Sequence, residues 1–334
     1  MASVRHPPLR YLAAADVIAA MPDLGERLAL AERTMIALVA DAELPPKIAV
    51  HPRPDGSFMH AMPAHLRGSD PAGREDLAGM KWVAGYPGNS ALGLPSINAV
   101  IVLNDAATGL PSAILDGGPI TAVRTAAVSG VAIGRFAPPV TGRAPLAGLI
   151  GAGVQGRSHL AVLGWTLPGV HLAIFDRHPE RAQALRDEAT RTAGIARADV
   201  VASARSAVGD ADVVVTAASF GPVRQVMTSD WLAPDALVVP VDYATCCAAE
   251  VARDAALFLV DHRDQFLANR AIGLFEDYPD PAATIGEAIV AGTPRPARGR
   301  VVVTHLGVGL ADVVFGSAIL RRAENLGLGT LLAR

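Results

Sequence analysis

Three glycines with a fixed spacing form the first stretch of the sequence that could do chemistry. Gly151, Gly153 and Gly156 make a G-x-G-x-x-G pattern directly after the apolar run 146–150, and helical apolar spacing follows from Arg157. In a strand–turn–helix of this kind, the first glycine permits a tight turn and the second lets a phosphate approach the backbone. The third lets helix and strand pack closely. The helix N terminus adds unpaired N–H groups and partial positive charge, so the pattern predicts a phosphate-binding loop.

A carboxylate stands at the distance from this loop that a dinucleotide site requires. The run 171–175 predicts the next strand, and Asp176 at its end can accept hydrogen bonds from the adenosine ribose hydroxyls. The competing interpretation of the glycines is a purely structural turn. Asp176 favours NAD because it would repel the 2′-phosphate of NADP, whereas Arg177 could bind that phosphate, so NADP stays possible. The predicted cofactor site also includes four further residues: Thr125, Val154, Gln155 and Thr216.

Three basic residues occupy places where apolar residues would be expected. Lys47 opens a predicted strand after two prolines, Lys81 lies inside an apolar strand, and Arg124 lies among small apolar residues of a predicted helix. An unpaired buried charge is costly, so such residues usually have an anionic partner. Internal ion pairs, or side chains that reach solvent, would satisfy that requirement. The alternative is a pocket for a substrate carboxylate, which Arg124 would bind bidentately.

Composition argues against several function classes. Among 334 residues, 51% are apolar and 18% are charged, and the net charge of −3 argues against a nucleic-acid or polybasic membrane surface. The start of the chain shows no signal peptide, and no uncharged apolar run reaches the length of a membrane span. The only cysteines, Cys246 and Cys247, are adjacent, which suits neither an ordinary disulfide nor, alone, a zinc site. We therefore expect a cytoplasmic protein without a metal site.

Two patterns of secondary structure divide the chain. The first part shows strands without long helices between them, which predicts an antiparallel sheet, and the second shows strand–helix alternation. A helix at 120–136 connects them, and a final helix at 310–326 is expected to return to the first domain. The predicted fold is α/β, with a Rossmann-type doubly wound sheet at 137–309 and an α+β domain elsewhere. Strands are predicted at 47–51, 57–62 (joined by a turn at 52–56), 79–85, 97–104, 110–115, 146–150, 171–176, 198–202, 212–216, 236–242, 257–261 and 300–305, and further helices at 16–21 and 24–41.

Six motifs follow one another along the chain: HAMPA at 60–64, GMKWV at 79–83, YPGN at 86–89, GLPSI at 93–97, TAVRTAA at 121–127 and GAGVQG at 151–156. In this order they resemble the ornithine cyclodeaminase/mu-crystallin family. The resemblance covers nearly the whole chain and implies a homodimer. It also implies that each subunit combines an NAD(P)-binding Rossmann domain, here 137–309, with a substrate-binding and dimerisation domain built from both chain ends, here 1–136 with 310–334. The family includes ornithine and lysine cyclodeaminases, alanine dehydrogenase-type enzymes and imino-acid or ketimine reductases.

The resemblance implies roles for residues of the first domain. Lys47 matches the family's first basic carboxylate ligand, which is usually Arg, and Arg124 matches the second. Lys81 matches the lysine near the reacting nitrogen. Ser96 stands where the family often has Thr, and Met62 belongs to the same predicted substrate site.

Two positions depart from the cyclodeaminase pattern. Cyclodeaminases have Glu where this chain has His60, and our best placement puts Ala244 where they have a catalytic Asp. Asp242 lies two residues earlier, on the same strand face if the strand continues, or it is a turn residue at the strand end. His60 and Asp242 are therefore candidate proton relays beside Lys81. Cyclisation of a diamine needs a carboxylate that deprotonates the side-chain amine, so these departures disfavour it.

The sequence predicts an NAD(P)-dependent oxidoreductase that acts on the C–N bond of a small α-amino or α-imino acid. One alternative is an ornithine- or lysine-type cyclodeaminase with no net redox change. Another is a non-catalytic NADPH-dependent binding protein, as mu-crystallin suggests. The expected partners are a small-molecule substrate and a second copy of the chain.

Overall fold

The computed structural model describes residues 7–54, 56–68, 75–219 and 224–334. The first six residues, where no signal peptide was expected, and Asp55 of the predicted turn 52–56 lie outside this range. The described chain forms two compact units, 1–124 with 308–334 and 125–307. The division between the units falls earlier than the predicted domain boundary at 136. We predict that substrate binding and dimerisation belong to the first unit and that the cofactor binds to the second.

The first unit holds a sheet covered by helices. Its strands are β1 Leu9–Leu12, β2 Ala42–Glu43, β3 Ile48–Val50, β4 Phe58–Leu66, β5 Leu77–Gly85, β6 Ile97–Asn104, β7 Pro111–Asp116 and the C-terminal Thr330–Leu332. Its helices are α1 Ala14–Ala19, α2 Leu24–Ala40, the start of α3 Gly117–Phe136, and the C-terminal helix Gly309–Asn325.

Alternation along β4 and β5 decides which side chains enter the core of this unit. Met62, Ala64 and Leu66 are buried at every second position of β4, as expected for a strand with one covered face. The C-terminal helix packs on β4, β5 and β6. The strands that the sequence predicted here pair antiparallel, as expected. Two further strands were not predicted: β1 pairs in parallel with β7 and antiparallel with the C-terminal strand. Both strands are short, so they give no clear alternation in the sequence.

The second unit alternates strands and helices. Its strands are β8 Leu146–Ile150, β9 Val170–Phe175, β10 Ile195–Val200, β11 Val213–Thr216, β12 Leu237–Pro240, β13 Leu257–Val260, β14 Ala283–Thr284 and β15 Val301–Thr304; the C-terminal strand of the first unit is β16. Its helices are α4 Val154–Thr166, α5 Pro179–Ala189, α6 Ala204–Val208, α7 Ala249–Arg253, α8 Arg263–Ala271 and α9 Ile285–Val290; the C-terminal helix of the first unit is α10.

The sheet of the second unit is parallel throughout its described strands, in the order β10-β9-β8-β11-β12-β15-β13-β14. Its central strands are valine-rich and buried on both faces, as parallel sheets with helices on both sides require. Chain order reverses between β8 and β11, where a doubly wound sheet opens a crevice at its carboxyl edge. The predicted Rossmann-type fold is confirmed. Among the described helices, none combines the length and the apolar character that crossing a membrane requires.

Candidate functional site

Each glycine of the loop after β8 has a different physical reason to be glycine. Gly151 has a φ of 103°, and a Cβ there would lie 2.4 Å from the carbonyl oxygen of Ala217. A Cβ on Gly156 would lie 2.0 Å from the carbonyl oxygen of Gly151. A Cβ on Gly153 would meet no described atom within 4 Å, at the residue that precedes the first turn of α4. The open space lies where a phosphate would approach the helix N terminus, so the loop fits a dinucleotide.

We expect Gly153→Ala to lower the affinity for NADH at least tenfold without lowering the melting temperature. The new methyl group enters the space that a pyrophosphate would occupy but touches no described atom of the protein. A tenfold loss of affinity corresponds to about 1.4 kcal/mol. Fluorescence titration with NADH and thermal unfolding measure the two effects.

Two control variants separate an effect on NADH binding from an effect on fold stability. Gly134→Ala, on an exposed turn of α3 with open space around its Cα, should leave NADH affinity unchanged. Gly156→Ala should instead destabilise the fold by roughly 1–3 kcal/mol, because its Cβ meets backbone that cannot easily move. Unchanged NADH affinity in Gly153→Ala would remove this loop from the cofactor site.

The backbone of two loops holds Asp176 at the end of β9. Its Oδ2 accepts a hydrogen bond of 2.7 Å from the N–H of Ala152, and its Oδ1 accepts one of 2.8 Å from the N–H of His178. Each carboxylate oxygen has a second lone pair with which it can accept a ribose hydroxyl. Arg177 is exposed, and its Nε donates to the Nε2 of His178 at 3.2 Å. The geometry therefore orients Asp176 and keeps Arg177 at the surface.

Asp242 is part of a buried network that joins two strand ends. The hydroxyl of Thr216 donates to Oδ1 at 2.9 Å, and the N–H of Ala218 donates to Oδ2 at 3.1 Å. Burial raises the pKa of this carboxyl. β12 ends at Pro240, and Tyr243 has a φ of 59°, so the strand does not continue. The condition under which Asp242 would share a strand face with Ala244 is not met.

The other predicted cofactor residues differ in accessibility. Thr216 is fully buried, with its hydroxyl bound to Asp242, and Thr125 on α3 is 8% exposed. Val154 is 70% exposed in the first turn of α4. Gln155 follows it, and its carbonyl oxygen accepts a hydrogen bond of 2.6 Å from the Nδ1 of His159. At the start of α4, the open space at Gly153 thus lies next to the exposed side chain of Val154, whereas Thr216 faces the protein interior.

In the first unit, strand register brings three of the predicted site residues to one face of the sheet. Met62 on β4 lies directly opposite Lys81 on β5, and His60 lies opposite Val83. Residues directly opposite each other in an antiparallel pair share a face, as do alternate residues of one strand. His60, Met62 and Lys81 therefore line the face that α10 covers.

A single carboxylate holds two buried cations on this face. Asp312 in the first turn of α10 is completely buried; its Oδ2 lies 2.6 Å from Nζ of Lys81 and its Oδ1 3.1 Å from Nε of Arg124. Lys81 is 1% exposed and Arg124 is 5% exposed. When Lys81 is protonated, two positive charges face one negative charge, which leaves an excess of one. Because buried charge requires compensation, this arrangement suits an anionic ligand.

Burial and neighbouring charges lower the pKa values of Lys81 and His60. Burial, the charge of Arg124 and the weaker effect of Lys47 lower the pKa of Lys81 to about 7, against the opposing effect of Asp312. Burial lowers the pKa of His60 to about 4, with further contributions from Lys47, His51 and Lys81. Lys81 can therefore exchange a proton near neutral pH, whereas His60 is neutral there and is a weak base.

Lys47 and Ser96 complete the predicted substrate residues and differ in placement. Lys47 stands just before β3, whose Ala49 pairs with His60, and its charge acts on both His60 and Lys81. Ser96 is exposed and precedes β6, and its carbonyl oxygen accepts the N–H of Tyr86 at 2.8 Å. The strand register pairs Lys81 with Ile101, roughly 16 Å along the chain from Ser96. Lys47 thus joins the cluster, whereas β6 carries Ser96 away from Lys81.

The choice of lysine at two positions is itself informative. Lys47 and Lys81 are the only lysines in the sequence, and the remaining 27 of its 29 basic Lys and Arg residues are arginine. Arginine does not release its proton in proteins, whereas a buried lysine does so readily. In a chain whose other basic residues are nearly all arginine, Lys81 is therefore a cation that can transfer a proton.

Sequence reasoning missed Asp312, although a signal was present. Asp312 lies between Ala311 and Val313 in an apolar helix, the same kind of context that drew attention to Arg124. Gly309 marks the place where α10 approaches β4, since a Cβ there would lie 2.5 Å from the carbonyl oxygen of Met62. A lone carboxylate in an apolar helix, matched to two buried cations elsewhere, indicates an internal ion cluster.

Comparisons with known proteins agree with this architecture. The nodulation efficiency protein NfeD of Rhizobium meliloti is 35% identical over 333 residues, 98% of this chain and 99% of that protein. Ketimine reductase mu-crystallin of Mus musculus is 30% identical over 261 residues, 77% of this chain and 78% of that protein. A structure of Thermococcus litoralis Delta(1)-pyrroline-2-carboxylate reductase in complex with NADH and L-proline is 25% identical, with a TM-score of 0.82, and covers 96% of this chain and 99% of that one. Residues 19–320 match the sequence model of the ornithine cyclodeaminase/mu-crystallin family, and the chain belongs to this family.

Proposed function

We propose that this chain is an NAD(P)-dependent oxidoreductase that acts on the C–N bond of a small α-amino or α-imino acid. The observation that carries the proposal is the buried cluster of Lys81 and Arg124 around the carboxylate of Asp312. Its excess positive charge suits a substrate carboxylate, and the lysine can exchange a proton near pH 7. The glycine loop of the second unit supplies the cofactor-binding element.

Each residue of the cluster has a proposed role. Arg124, helped by Lys47, binds the substrate carboxylate. Lys81 holds a proton at Nζ for the substrate nitrogen during imine reduction, and takes one from it during amine oxidation. A nicotinamide, when bound, supplies or accepts the hydride at the α-carbon. Met62 and the buried strand face exclude water from the cluster, which strengthens its electrostatic interactions.

Reduction or oxidation is favoured over cyclisation of a diamine. A cyclodeaminase must neutralise a second amine, whose reference pKa is near 10.4, before it can attack. Ala244 cannot accept that proton, Asp242 has both oxygens in hydrogen bonds, and His60, with a pKa of about 4, is too weak a base. The names of two related proteins, a ketimine reductase and a Delta(1)-pyrroline-2-carboxylate reductase, support the same choice.

Asp176 is proposed to make NAD(H) the preferred cofactor, because its charge would repel a 2′-phosphate. We expect Asp176→Ser to narrow or reverse this preference by improving the affinity for NADPH relative to NADH. Fluorescence titration of both nucleotides measures the ratio, and the exposed variant Asp199→Ser is a control in the same unit. Tighter binding of NADPH than NADH by the wild-type chain would contradict this proposal and assign the selectivity to Arg177.

A substrate panel at saturating NADH and NADPH tests the proposed function. It contains Delta(1)-pyrroline-2-carboxylate and other cyclic imino acids, pyruvate with ammonia or methylamine, and ornithine and lysine. Oxidation of the reduced cofactor with an imino acid, or with a keto acid and an amine, is the expected result. Tight cofactor binding without any turnover would instead favour a non-catalytic binding protein.

The chain is further proposed to work as a homodimer. Large apolar side chains on and around β3 and β6 are exposed, and such side chains can be covered by a second copy of the chain. Light scattering during size-exclusion chromatography gives the mass of the particle directly. The exposed residues in question are Ile48, Val50, Leu92, Leu94, Ile97 and Val100.

A further inference from the structure

One carboxylate of the first unit has no part in the proposed chemistry and yet touches both residues that carry it. Asp312 is completely buried, and its two oxygens point to different cations, Oδ2 to Lys81 and Oδ1 to Arg124. Lys81 comes from β5 and Arg124 from α3, so Asp312 on α10 joins two elements that are distant in sequence. A merely structural ion pair needs only one of these contacts.

The local backbone explains how the carboxylate reaches this place. Gly309 lets the start of α10 lie against β4, because any Cβ would fall 2.5 Å from the carbonyl oxygen of Met62. Met62 is the residue that pairs with Lys81 across the sheet. Asp312, within the same helical turn, therefore faces Lys81 directly, and a carboxylate in the first turn of a helix is also favoured by the helix dipole.

The contact with Arg124 leaves its guanidinium able to bind a second carboxylate. Asp312 accepts the hydrogen of Nε at 3.1 Å. The two terminal nitrogens of a guanidinium carry four further N–H donors in a planar fork that matches a carboxylate. Asp312 thus fixes the plane of the group through one edge, and the terminal nitrogens can face the ligand.

We propose that Asp312 is a positioning residue that aligns Lys81 with Arg124 through its two oxygens and keeps Lys81 protonated when no substrate carboxylate is bound. The proposal rests on the proposed function, since it assigns the cluster to an imine-reducing enzyme. It adds a residue that acts only through other residues. Asp312 is predicted to make no contact with the substrate.

Several charged groups act on Lys81 and have to be considered together. Arg124 and Lys47 lower its pKa, and Asp312 raises it. On β4, the neighbouring His60 is neutral near pH 7, and His65 pairs with Asp76 at the exposed end of the strand, at 2.6 Å. Described residues of β6 include no titratable side chain. Within this set, removal of Asp312 takes away the negative charge that holds the proton on Lys81.

The scarcity of lysine allows a direct test that needs no substrate. A full-length chain labelled with 13C-lysine gives signals from Lys47 and Lys81 alone, and Lys81→Met assigns them. We expect the Lys81 signal of the wild-type chain to titrate near pH 7. In Asp312→Asn, the midpoint should fall by about 1–3 pH units, the range expected when an opposite charge a few ångströms away is lost. Glu324→Gln, an exposed acid-to-amide change on the same helix, should leave it unchanged.

Further measurements separate the possible failures. An unchanged Lys81 midpoint in folded Asp312→Asn overturns the proposal. If that variant does not fold, Asp312→Glu keeps the charge but displaces both cations. Its midpoint should stay near the wild-type value because the negative charge remains, and its kcat/KM should fall at least tenfold; a wild-type kcat/KM overturns the proposal. A wild-type chain that reduces no imino acid overturns the proposed function only, because the lysine titration uses no substrate.

Discussion

Replacing Lys81 by methionine is expected to lower kcat for imine reduction by about 10²–10⁴-fold, the usual contribution of a positioned general acid or base. Methionine keeps much of the buried volume of the lysine and removes the ammonium that transfers the proton. The position is almost inaccessible to solvent, so bulk water cannot easily replace the group. Steady-state kinetics at saturating NADH measures the loss.

A pH profile provides the control for this prediction. Imine reduction requires protonated Lys81, so kcat/KM should fall as the pH rises through about 7, and amine oxidation should show the opposite slope. Lys81→Arg keeps a positive charge that does not titrate in this range. This variant should have a low kcat/KM that does not fall as the pH rises through about 7. A Lys81→Met variant with near-wild-type kcat would show that another group transfers the proton.

Changing Arg124 to lysine is expected to raise KM for the substrate about 10–100-fold while the affinity for NADH stays unchanged. A bidentate, charge-assisted contact contributes roughly 1.5–3 kcal/mol, and an ammonium cannot form the same planar fork. The variant keeps the positive charge beside Asp312, so a change of net charge does not explain the result. KM values and NADH titrations together separate the two sites.

An uncharged substrate offers an independent check of the same assignment. If Arg124 binds the carboxylate, the wild-type chain should discriminate strongly against the amide of its own substrate. The Arg124→Lys variant should lose the part of this discrimination that the bidentate geometry contributes, while its positive charge still favours the acid. Equal use of the acid and the amide by the wild-type chain would show that Arg124 does not bind the carboxylate.

Much of the cofactor loop could be predicted because the strand–turn–helix geometry requires glycine at fixed positions. Positive φ at Gly151 and backbone contact at Gly156 follow from the strand–turn–helix geometry that the pattern requires. The position of Lys81 inside an apolar strand likewise indicated a cation that needs an anionic partner. These features depend on local sequence alone.

Features that depend on distant parts of the chain were less predictable. Pairing of β1 with β16 joins the two chain ends through strands of four and three residues. Asp242 could take the place of the cyclodeaminase Asp, which matches Ala244, only if β12 continued. The strand ends earlier, and Tyr243 has a positive φ. Asp312 meets Lys81 only because α10 returns to the first unit, and no short-range pattern predicts that contact.

Counting cofactor against product tests the central claim most directly. With Delta(1)-pyrroline-2-carboxylate and NADH, we predict that one NADH is oxidised for each proline formed. With ornithine and a catalytic amount of NAD in the absence of an added oxidant, we predict at most one product molecule per cofactor. Many proline molecules per NAD from ornithine, with ammonia released and no net change in cofactor, would contradict net oxidoreduction and identify a cyclodeaminase.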